Sequence, residues 1–230
     1  MKTIVLLMSF IFTMSSCTNA ADGYPGSNTD AAADLPTNRT AVNQSGEGSS
    51  KGKVRANSVA FFASGCFWCV EAVFESVIGV GDVISGYSGG KASDAKYELV
   101  SAGRTNHAEA VAVYYDSTKI DYPTLLKVFF GSHDPTTLNQ QGPDKGKQYR
   151  SAIFYTSTKE KVIAEEYVKE LLSKGAFSKI TTEIVPFDAF YDAEDYHQDY
   201  EHNNPNNGYI KAVSIPRLNK FKAKYPELLK

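Results

Sequence analysis

Several residue types and patterns are scarce in this chain of 230 residues, and each scarcity excludes a class of protein. Three cysteines are too few for a small secreted fold held together by disulfides. A formal net charge of −2 gives no broad positive field, so charge suggests no nucleic-acid partner and no attraction to anionic lipid. No apolar run reaches the roughly 20 residues of a membrane-spanning helix. The hydrophobic content of 42% is nevertheless sufficient for one well-packed domain.

The amino terminus has the pattern of a targeting segment. Lys2 precedes a short apolar run, and two serines end that run directly before Cys17. Residues 1–16 resemble a bacterial lipoprotein signal, in which the cysteine becomes the lipid-bearing first residue of the mature chain. This interpretation predicts an exported protein of the periplasm or cell envelope, anchored only through lipid on Cys17. An ordinary secretory signal in which Cys17 has no role is the alternative.

Residues 17–57 differ sharply in composition from the remainder of the chain. They are rich in Ala, Asp, Asn, Ser, Gly and Thr, and Tyr24 is their only aromatic residue. So little apolar surface cannot offset the entropy lost on ordering the backbone. We therefore expect a disordered tether over residues 17–57 and a folded domain over residues 58–230.

Hydrophobic periodicity predicts alternating strands and helices within the folded domain. Runs of strand character are followed by amphipathic segments, and Gly or Pro stands at several boundaries. The predicted strands cover residues 59–63, 80–87, 107–115, 148–155 and 182–185, and the predicted helices cover residues 69–77, 121–130 and 158–173. This order favours a sheet with helices packed against it, as in an α+β or α/β sandwich.

The strongest chemical signal is a Cys-x-x-Cys pair between the first strand and the first helix. Cys66 stands at the predicted helix entrance, where free amide donors and the helix dipole would lower the pKa of its thiol. Cys69 lies one helical turn later, which is close enough for a disulfide to form with an oxidised Cys66. The pattern therefore predicts a redox-active pair.

Three other interpretations of the two cysteines remain open from spacing alone. With His197 and His202 they total four ligands for a structural zinc ion, although such sites are typical of domains without a core. A thioredoxin-like disulfide oxidoreductase carries its motif in a similar strand-turn-helix. Two inert buried cysteines are the third interpretation.

Several separate blocks resemble the A-type peptide methionine sulfoxide reductases, in that family's order and spacing. The blocks are Gly65-Cys66-Phe67-Trp68 with Glu71, Gly86-Tyr87-Ser88-Gly89-Gly90, His107-Ala108-Glu109-Ala110-Val111, His133-Asp134-Pro135-Thr136, Gln148-Tyr149-Arg150-Ser151 and Tyr196-His197-Gln198. The resemblance implies an α+β fold, a ferredoxin-like two-layer sandwich with a mixed sheet and added loops. It also implies reduction of the S epimer of methionine sulfoxide in proteins, without a cofactor or a metal.

The resemblance assigns a role to each matched position. Cys66 would be the nucleophile, and Glu109 the acid that protonates the departing oxygen. Hydroxyl groups and a carboxylate would surround that oxygen, and two aromatic side chains would receive the methyl group. The corresponding residues are Tyr97, Tyr149 and Asp144 at the oxygen, and Phe67 and Trp68 at the methyl group.

Each of these residues also has a structural interpretation. Glu109 lies between alanines in a strand and, without the resemblance, would be read as a solvent-facing charge. Any of the 14 tyrosines can simply pack, and Phe67 and Trp68 can be core anchors. Nothing in the sequence ties the four histidines to the chemistry, so we expect them to be structural.

The chain departs from the family pattern in ways that affect its reductive cycle. Pro143 and Lys147 replace residues that are usually Asn and Thr beside Asp144, and Asn106 stands where Gly is usual. No cysteine follows Cys69, whereas many members carry recycling cysteines near the carboxyl end. We therefore expect Cys69 to resolve the sulfenic acid on Cys66, and a thioredoxin-like protein to reduce the disulfide. The alternative functions are a general thiol-disulfide oxidoreductase and a non-catalytic peptide-binding lipoprotein.

Overall fold

The computed structural model describes residues 55–230. The predicted signal, Cys17 and the tether up to residue 54 lie outside the described residues, so those expectations stay predictions. Among residues 55–230 there is no helix that is both long enough and apolar enough to cross a membrane.

Eight strands and six α-helices make up the described part of the chain. The strands are β1 (Ser58–Ser64), β2 (Val80–Ser88), β3 (Ala108–Tyr115), β4 (Gln140–Gln141), β5 (Asp144–Lys145), β6 (Ser151–Tyr155), β7 (Glu183–Pro186) and β8 (Phe190–Asp192). The helices are α1 (Phe67–Glu75), α2 (Tyr97–Ser101), α3 (Tyr122–Ser132), α4 (Thr158–Ser173), α5 (Tyr200–Asn203) and α6 (Ile215–Lys224). A π-helical turn, Ile210–Ser214, leads directly into α6.

Six strands form one mixed sheet in the order β7-β6-β1-β3-β2-β8. The chain passes through β1, α1, β2, β3, α3 and β6 to build the four central strands, which pair antiparallel with one another. This βαββαβ path is the ferredoxin-like arrangement. The edge strand β7 pairs in parallel with β6, and β8 pairs antiparallel with β2. The α+β prediction with a mixed sheet is therefore confirmed.

The alternation of β3 divides the core between the two faces of the sheet. Ala108, Ala110 and Ala112 face the side where aromatic residues cover the sheet, with Phe61 stacked on Phe187 at a centroid distance of 4.0 Å. Val111 and Val113 face the main core beneath the helices. Because side chains alternate along a strand, Glu109 also points to the helical side.

Packing at the joint between sheet and helices fixes the position of α1. Phe62 of β1 is fully buried between Phe74 of α1 and Phe129 of α3, with both ring centroids 5.2 Å away. The buried face of α1 also includes Val70 and Val73. Burial of aromatic and branched side chains of this size contributes roughly 1.5–3 kcal/mol each. The start of α1 is therefore held rigidly against the sheet.

Candidate active site

The two cysteines occupy the first turn of α1. Gly65 bends the chain out of β1 with a φ of 94°, in the region that favours glycine. A Cβ at this position would lie 2.7 Å from the Gln141 side chain, so the β4–β5 hairpin can approach only because the residue is glycine. Cys66 is the N-cap residue of α1, and the Cys69 amide donates a hydrogen bond to the Cys66 carbonyl at 3.2 Å.

The environment of Cys66 differs from the one that its place at a helix start suggests. Its side chain is deeply buried, and burial raises the pKa of Cys66, helped by its hydrogen bond to Cys69 and by the proximity of Glu109. The expectation of a lowered pKa is wrong, since loss of hydration outweighs the effect of the backbone donors.

The pKa of Cys69 moves the opposite way. Its hydrogen bond with Cys66 lowers the pKa of Cys69 against the opposing effect of burial, and Arg217, Ser214 and Tyr209 lower it further. The opposite directions of the two pKa shifts make Cys69 the more acidic thiol of the pair.

Glu109 projects from β3 toward the first turn of α1. It is 2% exposed, and the Phe67 amide donates a hydrogen bond to its Oε2 at 3.1 Å. Burial raises the pKa of Glu109 to about 8, although this hydrogen bond lowers it. At neutral pH the carboxyl group keeps its proton. The structure thus places an acid in its proton-donating form beside Cys66.

Two tyrosine side chains lie near Glu109 and Cys66. Burial raises the pKa of Tyr97 to about 12 and also raises the pKa of Tyr149, and Glu109 and Cys66 contribute to both shifts. The backbone amide of Tyr97 donates to Glu194 Oε1 at 3.0 Å, which fixes the start of α2. Within residues 55–230, neither hydroxyl group forms a hydrogen bond, so both can bind an oxygen of a substrate.

The aromatic residues after Cys66 have unequal access to solvent. Phe67 is fully buried, whereas Trp68 is partly exposed and stacks on Tyr200 with a centroid distance of 3.8 Å. Trp68 Nε1 donates to Nδ1 of His197 at 3.1 Å. Because Nδ1 accepts and burial lowers the pKa of His197, this ring is neutral with its proton on Nε2.

His197 and Tyr200 are site residues for which sequence reasoning found no role. His197 packs 5.0 Å from the ring of Phe67 and 4.3 Å from the ring of Tyr97. Apart from its place among the candidate zinc ligands, His197 was marked only by the Tyr196-His197-Gln198 block. No signal marked Tyr200.

Asp144 and two residues from the carboxyl-terminal segment surround Cys69. Tyr209 donates a hydrogen bond to Asp144 Oδ2 at 2.6 Å, and its hydroxyl oxygen lies 3.7 Å from Cys69 Sγ. Burial raises the pKa of Asp144, whereas Tyr209 and Arg217 lower it. Asp144 in turn helps to raise the pKa values of Glu109 and Tyr149.

The candidate zinc ligands are not brought together as one site. Among residues 55–230, the only set of three or more His, Cys, Asp or Glu side chains close enough to share an ion is Glu71, Glu75 and Asp199. Glu71 accepts hydrogen bonds from Ser85 Oγ and from the Asp199 amide, both at 3.0 Å. Burial raises the pKa of Glu71 to about 7. Its contacts tie α1 to β2 and to the carboxyl-terminal segment.

Comparisons with known proteins agree with this geometry. The family model described as peptide methionine sulfoxide reductase matches residues 58–229. The peptide methionine sulfoxide reductase MsrA 2 of Synechocystis sp. is 49% identical over 178 residues, which are 76% of this chain and 83% of that protein. The MsrA of Pasteurella multocida is 47% identical over 171 residues, which are 74% of this chain and 98% of that protein.

Solved structures show the same likeness. The reduced form of Mxr1 from Saccharomyces cerevisiae has a TM-score of 0.63 and 37% identity, covering 66% of this chain and 88% of that one. The methionine sulfoxide reductase A of Corynebacterium diphtheriae has a TM-score of 0.58 and 36% identity, covering 65% and 76%. The chain therefore belongs to the peptide methionine sulfoxide reductase family.

Proposed function

We propose that this reductase acts on the S epimer of methionine sulfoxide, in proteins and as the free amino acid, with Cys66 as nucleophile and Glu109 as acid. The observation that carries the proposal is the buried Glu109 carboxyl, which hydrogen-bonds to the residue after Cys66 and keeps its proton at neutral pH. A sulfoxide oxygen is a poor leaving group, so sulfur attack needs a proton donor at this place.

The chemistry balances with these two residues. The sulfur of Cys66 attacks the sulfoxide sulfur while Glu109 protonates the oxygen; the oxygen then passes to Cys66, which becomes a sulfenic acid as methionine leaves. Because Cys66 keeps its proton before substrate binds, its thiolate must form within the complex. The hydrogen bond between the two sulfurs gives a route for that proton to reach Cys69.

The surroundings of the two reacting atoms support the binding of a methyl sulfoxide. The free hydroxyl groups of Tyr97 and Tyr149 can both donate to the oxygen, while the partly exposed ring of Trp68 can receive the methyl group. We assign Phe67, which is fully buried, to the wall behind that pocket. His197 holds the Trp68 ring in place through its hydrogen bond.

Cys69 would complete the oxidative half of the cycle. Cys69, which received the proton of Cys66, passes it to the Glu109 carboxylate, and its thiolate then attacks the Cys66 sulfenic acid. The disulfide forms as the oxygen takes this proton from Glu109 and leaves as water. A lowered pKa favours the return of Cys69 to the nucleophilic form. A thioredoxin-like protein with two thiols would then reduce the disulfide. The proposed substrates are oxidised proteins or peptides and free methionine sulfoxide.

We also propose that the enzyme is exported and lipid-anchored through Cys17, as the first 17 residues suggest. Mass spectrometry of the membrane fraction would show a mature chain that begins with a lipid-modified Cys17. A fully soluble mature chain with an unmodified Cys17 would contradict this part of the proposal.

A single-turnover experiment tests the catalytic assignment. Glu109→Gln keeps the shape of the side chain but removes the acid, so the rate with an S-sulfoxide peptide should fall about a hundredfold. Glu166→Gln, an exposed glutamate of α4, is the matched control and should leave the rate unchanged. The R epimer should be inert with wild type. A Glu109→Gln rate equal to that of wild type would remove Glu109 from the mechanism.

A further inference from the structure

A cavity of about 740 Å³ lies on the Cys69 side of the helix start, away from the proposed substrate pocket. Its walls come from the end of α3, the loop after it, the β4–β5 hairpin, residues 176–178 and α6. Cys69 is part of this wall, whereas Cys66 is not. A volume in this range is typical of sites for small molecules.

The side chains around this cavity combine positive charge with aromatic surface. Arg217, Lys220 and Lys224 are its cationic residues, set against the carboxylates of Asp134 and Asp144. Asp144 is engaged by Tyr209, and Asp134 accepts hydrogen bonds from Thr136. The aromatic surface comes from Phe130, Phe177 and Phe221. The cavity therefore suits a small ligand that carries negative charge.

Arg217 links this charge directly to Cys69. Its guanidinium donates to the Ser132 carbonyl at 2.7 Å, to the Ser64 carbonyl at 2.9 Å and to Ser64 Oγ at 3.0 Å. All three acceptors are neutral, and within residues 55–230 no carboxylate forms an ion pair with Arg217. The positive charge is thus fixed in place and not neutralised by a direct partner, and it acts on Cys69.

We propose that this cavity admits a small anionic thiol that attacks the Cys69 sulfur of the Cys66–Cys69 disulfide. The physiological role of this reaction rests on the proposed function, because catalysis would form the Cys66–Cys69 disulfide in each cycle. This route would operate in addition to reduction by the thioredoxin-like protein. Cys69 is only 2% exposed at the cavity wall, so a small thiol can reach its sulfur where the surface of a folded protein is hindered.

The reaction requires two equivalents of the thiol. The first thiolate attacks Cys69 Sγ, which forms a mixed disulfide on Cys69 and releases Cys66 as a thiolate that takes a proton from Glu109 or water. The second thiolate attacks the outer sulfur of the mixed disulfide, forms the small-molecule disulfide and releases Cys69. The lowered pKa of Cys69 makes it a good leaving group in this second step, whereas in the first step access through the cavity, which Cys66 does not line, directs attack to Cys69.

Three thiols of different charge test the proposal with the full-length protein. Diamide first oxidises the cysteine pair, so the measurement does not depend on Cys69 being the resolving residue in catalysis. Mercaptoethanesulfonate, mercaptoethanol and cysteamine then reduce the disulfide at low ionic strength, with rates normalised to thiolate concentration. Wild type should prefer the anionic over the cationic thiol by about tenfold. The double variant Lys220→Gln, Lys224→Gln should lose most of this preference.

The matched control removes the same charge elsewhere. Lys159→Gln, Lys169→Gln changes two exposed lysines of α4 and should keep the wild-type preference. Acid quenching followed by fragmentation of the peptide that holds both cysteines should locate the mixed disulfide on Cys69. A mixed disulfide on Cys66, or equal preference in all three proteins, would overturn the proposal. If diamide forms the Cys66–Cys69 disulfide but methionine sulfoxide does not, the proposed function is contradicted while the proposal for the cavity is still tested by the thiol rates.

Discussion

The two sides of the first turn of α1 give neighbouring cysteines opposite electrostatic environments. Cys66 faces the buried carboxyl of Glu109 and loses hydration, which raises its pKa. The hydrogen bond with Cys66 lowers the pKa of Cys69, and Arg217 from α6 lowers it further. Three residues of separation at the start of one helix therefore suffice to shift the pKa values of the two thiols in opposite directions, which suits the different tasks proposed for them. The sheet supplies the first environment and the carboxyl-terminal helix supplies the second.

The largest expected effect comes from removing the second sulfur. Cys69→Ser should release one equivalent of methionine per enzyme and then stop when a thioredoxin-like protein is the only reductant, because Cys66 stays a sulfenic acid. Labelling with dimedone and mass spectrometry should locate the adduct on Cys66. Continued turnover at the wild-type rate with the protein reductant would show that Cys69 is not needed to resolve the oxidised Cys66.

Arg217→Gln should reduce the difference in pKa between the two cysteines. Without the fixed positive charge the pKa of Cys69 rises, so alkylation of Cys69 at pH 7 should slow by about tenfold. Arg217→Lys keeps a charge and should recover much of the rate. Peptide mapping after timed iodoacetamide labelling measures each cysteine separately, and circular dichroism checks the fold. Unchanged labelling of Cys69 in a folded Arg217→Gln protein would contradict the comparison.

Tyr209→Phe should have a smaller effect on the same side. The hydroxyl group lies 3.7 Å from Cys69 and donates to Asp144, so its loss removes one polar contact with the sulfur. Disulfide formation after one equivalent of sulfoxide should slow by about threefold, as expected for one hydrogen bond. Tyr225→Phe, in the segment after α6, provides a control with the same loss of a hydroxyl group. Equal rates in the two variants would assign no role to Tyr209.

The smallest predicted effect is on stability and belongs to the Cys66 side. The pKa of Glu109 is raised to about 8, so between pH 5 and pH 8 the folded state binds more protons than the unfolded state and stability falls as pH rises. Glu71 and Glu75 have raised pKa values and act in the same direction. Glu109→Gln should flatten this decline and raise the relative melting temperature at pH 8 by a few degrees. Calorimetry of both proteins at pH 5 and pH 8 measures the difference; parallel curves would contradict it.

Patterns in the sequence predicted most of the sheet because its strands obey local rules. The alternation of alanine and valine in β3 appears directly as its two faces, and α4 has the predicted bounds. Strand β6 begins at Ser151 rather than residue 148, since Lys147–Tyr149 form a 3-10 turn. Helix α6 was not predicted, although Ile215, Leu218 and Phe221 recur at three-residue spacing, because the segment is rich in lysine and only Phe221 is buried.

In the candidate site too, some residues could be predicted from the local sequence and others could not. Motif blocks predicted Cys66, Glu109, Tyr97 and Tyr149, which the fold brings together, although their catalytic roles remain predictions. Arg217 and His197 reach the site through contacts between segments far apart in the chain, and local sequence carries no record of such contacts. The pKa of Cys66 was predicted wrongly for a related reason. Helix position is visible in the sequence, but the degree of burial is not.

The three-residue spacing of the cysteines in α1 also determines what their disulfide does to the unfolded chain. A bridge stabilises a protein mainly by restricting the unfolded ensemble, and this restriction grows with the length of the loop that is closed. The loop between Cys66 and Cys69 is among the shortest that a disulfide closes, so the bond removes little conformational entropy from the unfolded chain. Oxidation therefore alters reactivity while adding less resistance to unfolding than a long-range bridge would, and the enzyme can be recycled without losing a major structural cross-link.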